Sequence, residues 1–270
     1  MKLPTSDLQP RLALAVEAAK EAGRITLDYF RRDDLDVELK CDDTPVTVAD
    51  RRAEEYLRRR IAATFPDDGI LGEELAEQPG TSGFRWILDP IDGTKSFIHG
   101  VPLYSTLVAV ECAGQSVLGV IRIPAMDECV YAARGLGAWH VRADQSPRPA
   151  RVSPQRSLAS SLFLTSEVLT FDKSGRRVAF DRLQAAARLT RTWGDGYGYM
   201  MVATGRAELM VDPAMALWDA AALAPILEEA GGTFTDWCGT ATYQAGEGVA
   251  TNGLVLQEVL PLLRASPTGS

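Results

Sequence analysis

W-I-L-D-P-I-D-G-T-K-S-F, residues 86–97 of the 270-residue chain, contains two carboxylates on one short segment. The apolar and aromatic run 84–88 before them is typical of a short buried strand. Asp89 and Asp92 follow this strand on either side of Pro90. Because proline has no backbone N–H, we expect strand pairing to end there, which leaves both acidic side chains on a rigid turn.

Gly93 and Thr94 indicate what the turn leads to. Glycine permits a tight backbone, and threonine is a good residue to begin a helix. Backbone N–H groups at a helix N-terminus bind anions, and carboxylates bind hard divalent cations. The segment therefore predicts a site that holds cations and a phosphate group together. The alternative is an Asp-rich turn that only ends a strand.

Two other segments offer further oxygen ligands. They are Gly72-Glu73-Glu74 and Trp218-Asp219. The chain has only two histidines, which makes a histidine-rich zinc site a poor expectation. Hard oxygen ligands on short spacings instead favour Mg²⁺.

Composition narrows the class of protein. The hydrophobic content of 46% and the charged content of 24% are ordinary for a globular protein. The formal net charge of −8 argues against nucleic acid as a partner. The first ten residues are polar, no apolar run is long enough to span a bilayer, and the four cysteines form no C-x-x-C pair. We expect a cytoplasmic protein without a membrane partner.

The order of predicted elements indicates a layered α/β fold with two lobes. Residues 105–112 and 116–123 have the pattern of a β-hairpin, and 144–154 contains three prolines, as a hinge does. We therefore predict an N-terminal lobe, 1–150, that contains the metal-binding motifs. A C-terminal α/β lobe, 151–265, follows with alternating strands and helices.

The sequence does not contain the motifs of several other classes of hydrolase. The chain has neither a G-x-S-x-G elbow nor a G-x-x-x-x-G-K-[ST] phosphate loop. A nucleophilic-aspartate phosphatase with D-x-D-G-T would need Asp at position 90, where this chain has Pro90. That difference argues against a covalent aspartyl-phosphate.

Taken in order along nearly the whole chain, these motifs resemble the inositol monophosphatase family. The matching residues are Asp50 with Glu54, Gly72-Glu73-Glu74, Asp89-Pro90-Ile91-Asp92-Gly93-Thr94, Trp218-Asp219 and Glu229-Ala230-Gly231-Gly232. The resemblance implies an α-β-α-β-α sandwich, a homodimer, two or three Mg²⁺ ions per active site, and hydrolysis of a small phosphate monoester.

The resemblance also implies a ligand set. Glu73, Asp89 and the carbonyl of Ile91 would hold the first ion. Asp89, Asp92 and Asp219 would hold the second, and Glu73 would also reach a third. Asp219 has an alternative role as a helix cap only.

Catalytic roles follow from the same resemblance. Glu73 would orient the attacking water, with Thr94 and Asp50 as a hydroxyl–carboxylate pair behind it. The N–H groups of Gly93 and Thr94 would bind the phosphate. Asp50 also has an alternative role, which is to cap its own helix.

Within the family, residues 191–199 resemble the histidinol-phosphate phosphatase branch, which implies L-histidinol phosphate as substrate. Arg191, Asp195 and Asp212 are the predicted substrate contacts; the alternative for Asp195 is that it only shapes a turn. Inositol 1-phosphate is the alternative substrate. The alternative that is not an enzyme is a regulatory protein that binds metal ions without catalysing a reaction.

Overall fold

The computed structural model describes residues 4–40 and 43–264. The helices are α1 (Thr5–Leu27), α2 (Val48–Thr64), α3 (Thr94–Ile98), α4 (Val168–Lys173), α5 (Arg177–Ala186), α6 (Asp195–Ala203), α7 (Leu217–Ala221), α8 (Leu223–Glu229) and α9 (Leu256–Arg264). The strands are β1 (Val37–Leu39), β2 (Pro45–Thr47), β3 (Gly69–Gly72), β4 (Phe84–Asp92), β5 (Ser105–Cys112), β6 (Gln115–Ile123), β7 (Glu128–Ala133), β8 (Gly137–Arg142), β9 (Arg148–Pro149), β10 (Leu162–Leu164), β11 (Leu189–Arg191), β12 (Leu209–Asp212), β13 (Thr233–Thr235) and β14 (Gly248–Thr251).

The larger sheet has seven strands in the order β3-β4-β5-β6-β7-β8-β9. Strand β3 runs parallel to β4, and the other neighbours are antiparallel. Side chains alternate between its faces, as the pleat requires. Trp86 and Val108 pack under α1 and α2, whereas Ile87 and Leu107 pack against the central helices α6, α7 and α8. The predicted hairpin of β5 and β6 is confirmed.

The smaller sheet has five strands in the order β11-β10-β12-β14-β13. Its side chains also alternate: Leu164 and Met210 face the central helices, and Phe163 and Leu209 face the outer helices α4, α5 and α9. The layers are therefore helix, sheet, helix, sheet, helix. This confirms the predicted layered α/β fold.

The central helices approach the seven-stranded sheet closely at Gly119. A Cβ there would lie 2.0 Å from the carbonyl oxygen of Ala222. Ser116, three residues earlier on β6, donates a hydrogen bond of 2.6 Å to the carbonyl of Ala221. These two contacts fix the height of α7 above the sheet, and α7 carries Asp219.

Strand β4 extends further than the sequence indicated. Asp89 pairs with Leu107 and Asp92 with Ser105, and the register shifts between them. The expectation that pairing ends at Pro90 is wrong, because the proline lies in this irregularity, where its missing N–H breaks no ladder bond. Its carbonyl accepts a 2.8 Å hydrogen bond from the Thr106 hydroxyl.

The division into lobes 1–150 and 151–265 stays a prediction. One hydrophobic cluster contains side chains from both segments, including Ile121 and Met200. Ala150, in the proline-rich segment between them, is buried in the same cluster. None of the described helices is long and apolar enough to cross a membrane.

Candidate metal and phosphate site

The end of β4, the start of α3 and the start of α7 meet at one cavity of about 520 Å³. The predicted site residues that line it are Glu73, Asp89, Ile91, Asp92, Gly93, Thr94, Asp195 and Asp219. Glu167 adds a sixth carboxylate, and among the described lining residues Lys95 is the one with a cationic side chain. The cavity is therefore strongly acidic.

Three aspartates form the centre of the site. One carboxylate oxygen from each of Asp89, Asp92 and Asp219 lies within 4.8 Å of the other two. Asp89 lies on the same face of β4 as Ile87, which the central helices cover, and this brings it to Asp219 on α7. Its Oδ1 is buried and has no hydrogen-bond partner among the described residues. A buried carboxylate oxygen without a donor fits a divalent cation, which supplies the missing positive charge.

Asp92 is anchored from two sides through one oxygen. The hydroxyl of Ser105 and the N–H of Gly196 both donate to Oδ2, each at 2.5 Å. Ser105 lies opposite Asp92 on β5, and Gly196 lies in the first turn of α6. The other oxygen, Oδ1, stays available to a cation.

Asp219 combines the two roles that the sequence left open. Its Oδ2 accepts a 2.8 Å hydrogen bond from the N–H of Ala216, which caps the start of α7. The same side chain belongs to the aspartate cluster. Capping fixes the orientation of the carboxylate and leaves an oxygen for the cation.

Burial and mutual repulsion raise the pKa values of all three aspartates. Burial is the main cause at each, and the charges of the neighbouring carboxylates add to it. The pKa of Asp92 rises to about 7, and that of Asp219 also rises to about 7. The pKa of Asp89 is raised well above its ordinary value. Without a cation, the folded state therefore disfavours the charged forms of these groups.

These shifts predict an unusual pH dependence of the metal-free protein. Because the folded pKa values of Asp92 and Asp219 lie near 7 and the unfolded values near 3.8, the folded state retains protons that the unfolded state has released. Stability in EDTA should therefore fall as the pH rises from about 4 to about 7. Melting temperatures measured across this range check the sign. Millimolar Mg²⁺ should flatten the dependence, because it binds the charged forms. A melting temperature in EDTA that rises from about pH 5 to about pH 7 would contradict the assigned shifts.

Sequence reasoning missed Lys40. Its Nζ donates to Glu73 Oε1 at 2.6 Å and to Glu74 Oε1 at 2.8 Å. Burial opposes the charge of this ammonium group, but the two carboxylates outweigh that and raise its pKa. Lys40 follows β1 in a two-stranded hairpin with β2. Only its position after the alternating Val37-Glu38-Leu39 was visible in the sequence, and nothing there connected it with Glu73.

The structure does not form the predicted pair of Thr94 and Asp50. The Thr94 hydroxyl donates to the carbonyl of Ile91 at 3.0 Å. Asp50 Oδ2 accepts from the hydroxyl and the N–H of Thr47, at 2.6 and 2.8 Å, in a capping box that begins α2. Asp50 is buried, which raises its pKa to about 6, and the charge of Glu73 contributes to the shift. Asp50 is therefore coupled to Glu73 by charge alone among these contacts, since its described hydrogen bonds go to Thr47.

Gly93 and Asp195 lie against each other in the lining of the large cavity. Gly93 has φ of +84°, in the left-handed region that favours glycine. A Cβ on it would lie 2.6 Å from Asp195 Oδ2. Burial and the charges of Asp92 and Asp212 raise the pKa of Asp195 well above its ordinary value. The structure thus brings Asp195 to the predicted phosphate turn.

Asp212 and Arg191 differ in their relation to the cavity. Asp212 lines a smaller adjoining cavity of about 100 Å³, together with Asp195 and Tyr199. It accepts four hydrogen bonds, from Tyr199, Thr165 and Ser166, but burial still raises the pKa of its carboxyl group. Arg191 lies exposed on the edge strand β11, and its guanidinium donates to the carbonyl of Thr190. It does not line either of these two cavities, so its contact with the substrate stays a prediction.

Comparison with known proteins agrees with this geometry. Residues 7–267 match the model of the inositol monophosphatase family. A histidinol-phosphatase from Chlorobaculum parvum is 49% identical over 90% of this chain and 92% of its own length. One from Streptomyces coelicolor is 39% identical over 93% of this chain and 96% of its own.

Among solved structures, the extragenic suppressor protein SuhB from Bartonella henselae superimposes with a TM-score of 0.87 at 31% identity, over 96% of this chain and all of the other. The chain therefore shares the layered fold of helices and sheets that this solved structure has. The chain belongs to the inositol monophosphatase family.

Proposed function

We propose that this protein is a Mg²⁺-dependent phosphate monoester hydrolase that converts L-histidinol phosphate to L-histidinol and phosphate, in histidine biosynthesis. The observation that carries the proposal is the cluster of Asp89, Asp92 and Asp219 beside the Gly93–Thr94 turn, with Asp89 Oδ1 buried and unpartnered among the described residues. The similarity to histidinol-phosphatases supports the choice of substrate.

The proposed cation ligands are those that the family resemblance implies. Glu73, Asp89 and the carbonyl of Ile91 would hold one ion, and Asp89, Asp92 and Asp219 the other; a third ion at Glu73 would compete with Lys40 for the same carboxylate. Bound Mg²⁺ would activate a water molecule and neutralise the negative charge that develops on the leaving oxygen.

The protein's own groups would position the reactants. Glu73 would orient the attacking water, and the N–H groups of Gly93 and Thr94 would hold the phosphate at the start of α3. Asp50, whose charge is coupled to that of Glu73, would support this arrangement electrostatically. Thr94 and Asp50 would not form a direct hydrogen bond with each other. The water oxygen would bond to phosphorus as the bond between phosphorus and the ester oxygen breaks. The water would release one proton to solvent, and the ester oxygen would take one proton from solvent as it leaves.

The excess of negative charge favours a cationic substrate. Six carboxylates and one ammonium group line the large cavity, and this repels a phosphate dianion unless cations are bound. Glu167 forms an ion pair with Lys95 at 3.0 Å, so among the described lining carboxylates Asp195 is the one that neither a proposed ion nor a lysine neutralises. A positive charge on the substrate would neutralise it. Histidinol phosphate has an ammonium group, whereas the groups of inositol 1-phosphate beyond its phosphate are neutral hydroxyls. We propose Asp195 as the contact for that ammonium group, with Asp212 behind it.

The direct test is the release of phosphate from L-histidinol phosphate and from inositol 1-phosphate, measured side by side at saturating Mg²⁺. We expect a much higher kcat/KM for histidinol phosphate. Preference for inositol 1-phosphate would favour the alternative substrate. Tight Mg²⁺ binding without turnover of either ester would favour a metal-binding regulatory protein.

Asp195→Asn is expected to lower kcat/KM for histidinol phosphate by about 10- to 150-fold, because a hydrogen bond to a charged group contributes about 1.5–3 kcal/mol. The loss on a neutral ester such as glycerol 2-phosphate should be clearly smaller. The substitution keeps the shape of the side chain that packs on Gly93. An equal decrease of kcat/KM for the two esters would mean that Asp195 stabilises the turn and does not contact the substrate's ammonium group.

Two further parts of the proposal rest on the family resemblance and on composition: the enzyme would act as a homodimer, and it would do so in the cytoplasm. Sedimentation of the purified protein at micromolar concentration tests the first, with a monomer as the contrary result. Fractionation of cells that express the chain tests the second.

A further inference from the structure

The turn that presents Glu73 is held from behind by a buried carboxylate. Glu54, on α2, is fully buried, with 0% of its surface exposed. Its Oε2 accepts a hydrogen bond of 2.8 Å from the N–H of Glu74, and its Oε1 accepts one of 3.2 Å from the N–H of Leu75. The N–H of Glu73 itself donates to the carbonyl of Leu88 on β4 at 3.2 Å. Three successive N–H groups of the turn are therefore fixed by the protein.

Arg58 completes this support. One turn further along α2, its Nε donates to Glu54 Oε1 at 2.8 Å. Another nitrogen of the same guanidinium donates to the carbonyl of Leu75 at 2.9 Å. Arg58 thus neutralises the buried carboxylate and holds the far end of the turn.

Gly72 shows how closely the carboxylate approaches the turn. A Cβ on Gly72 would lie 2.1 Å from Glu54 Oε1 and 2.7 Å from Oε2. This residue ends β3, so the glycine lets the carboxylate lie directly behind the backbone from which Glu73 projects. Burying a charged side chain is costly even when it is paired, which argues that Glu54 does more than fill space.

We propose that Glu54 is the positioning residue for Glu73. It fixes the backbone of residues 73–75, so that the Glu73 carboxylate faces the cavity opposite Asp89. Glu54 does not line that cavity and acts only through the turn. This inference rests on the proposed function, because in that function Glu73 binds a cation and orients the attacking water.

Glu54→Gln tests the proposal with little change of volume. If the amide oxygen takes the place of Oε1, the NH₂ group faces the N–H of Glu74; in the other orientation it faces both the N–H of Leu75 and Arg58. Either way a donor faces a donor. The apparent Kd for Mg²⁺, measured by calorimetric titration, should rise about 10-fold or more, as is typical for residues that orient metal ligands. The Mg²⁺ concentration for half-maximal activity should rise in parallel.

Two controls separate positioning from stability. Glu55→Gln removes a charge from an exposed position of the same helix and should leave Mg²⁺ binding unchanged. Leu57→Val weakens the buried face of α2, and Leu57 makes none of the hydrogen bonds described above that hold the turn. It should lower the melting temperature without raising the Kd.

A second substitution keeps the proposal testable if Glu54→Gln does not fold. Arg58→Gln should raise the Kd for Mg²⁺ in the same direction. If Glu54→Gln or Arg58→Gln binds Mg²⁺ as the wild type does, the positioning role is wrong. If the wild type binds Mg²⁺ but hydrolyses no phosphate monoester, the proposed function fails, while the titrations still decide the role of Glu54.

Discussion

Asp92→Asn is expected to lower kcat by at least about 1,000-fold at saturating Mg²⁺, a loss of about 4 kcal/mol in transition-state stabilisation. In the structure, Oδ2 of Asp92 already accepts two hydrogen bonds, from Ser105 and Gly196. The oxygen of the asparagine would keep these partners, so its NH₂ group would face the proposed cation. A donor at that position binds no metal and repels the charge it should complement.

The fold should survive this substitution. Because burial and the charge of Asp219 raise the pKa of Asp92 to about 7, its charge is unfavourable in the metal-free protein. The melting temperature of Asp92→Asn in EDTA at pH 8 should therefore equal or exceed that of the wild type. Retention of more than about a tenth of wild-type kcat would rule out the assigned role, since an effect that small amounts to less than about 1.4 kcal/mol.

Gly196→Ala should have the next largest effect, about 100-fold in kcat, because small displacements of a catalytic geometry cost that much. A Cβ on Gly196 would lie 2.3 Å from the Ser105 hydroxyl and 2.8 Å from Asp92 Oδ2. Both groups would have to move, and the hydrogen bond from the Gly196 N–H to Asp92 would break. Steady-state kinetics at several Mg²⁺ concentrations measure the effect.

A double substitution provides the control for this prediction. Ser105→Ala removes the nearer of the two clashing atoms, so Ser105→Ala/Gly196→Ala should recover part of the activity lost in Gly196→Ala. Ser105→Ala alone should be impaired, since Asp92 loses a donor. Activity of Gly196→Ala within about twofold of the wild type would mean that the start of α6 does not control Asp92.

Local sequence determined the layered fold and the centre of the site. Two short apolar runs on either side of Ala113-Gly114-Gln115 predicted the hairpin of β5 and β6, because such runs separated by a turn are typical of paired strands. The spacing of Asp89, Asp92, Gly93 and Thr94 predicted a carboxylate turn followed by a helix, and the structure has α3 beginning at Thr94. These features depend on neighbours within a few residues, so a single segment is enough to specify them.

The tertiary structure alone decided which groups surround those carboxylates. Lys40 donates to Glu73 from 33 positions away along the chain, and Arg191 does not line the large cavity. The hydrogen bond from Gly196 to Asp92 joins residues 104 positions apart. Such contacts depend on how the sheets and helices stack, because a side chain bonds whichever partner the packing brings within about 3 Å. Sequence spacing carries no information about that distance, so it identified the clustered aspartates but not the residues that position them.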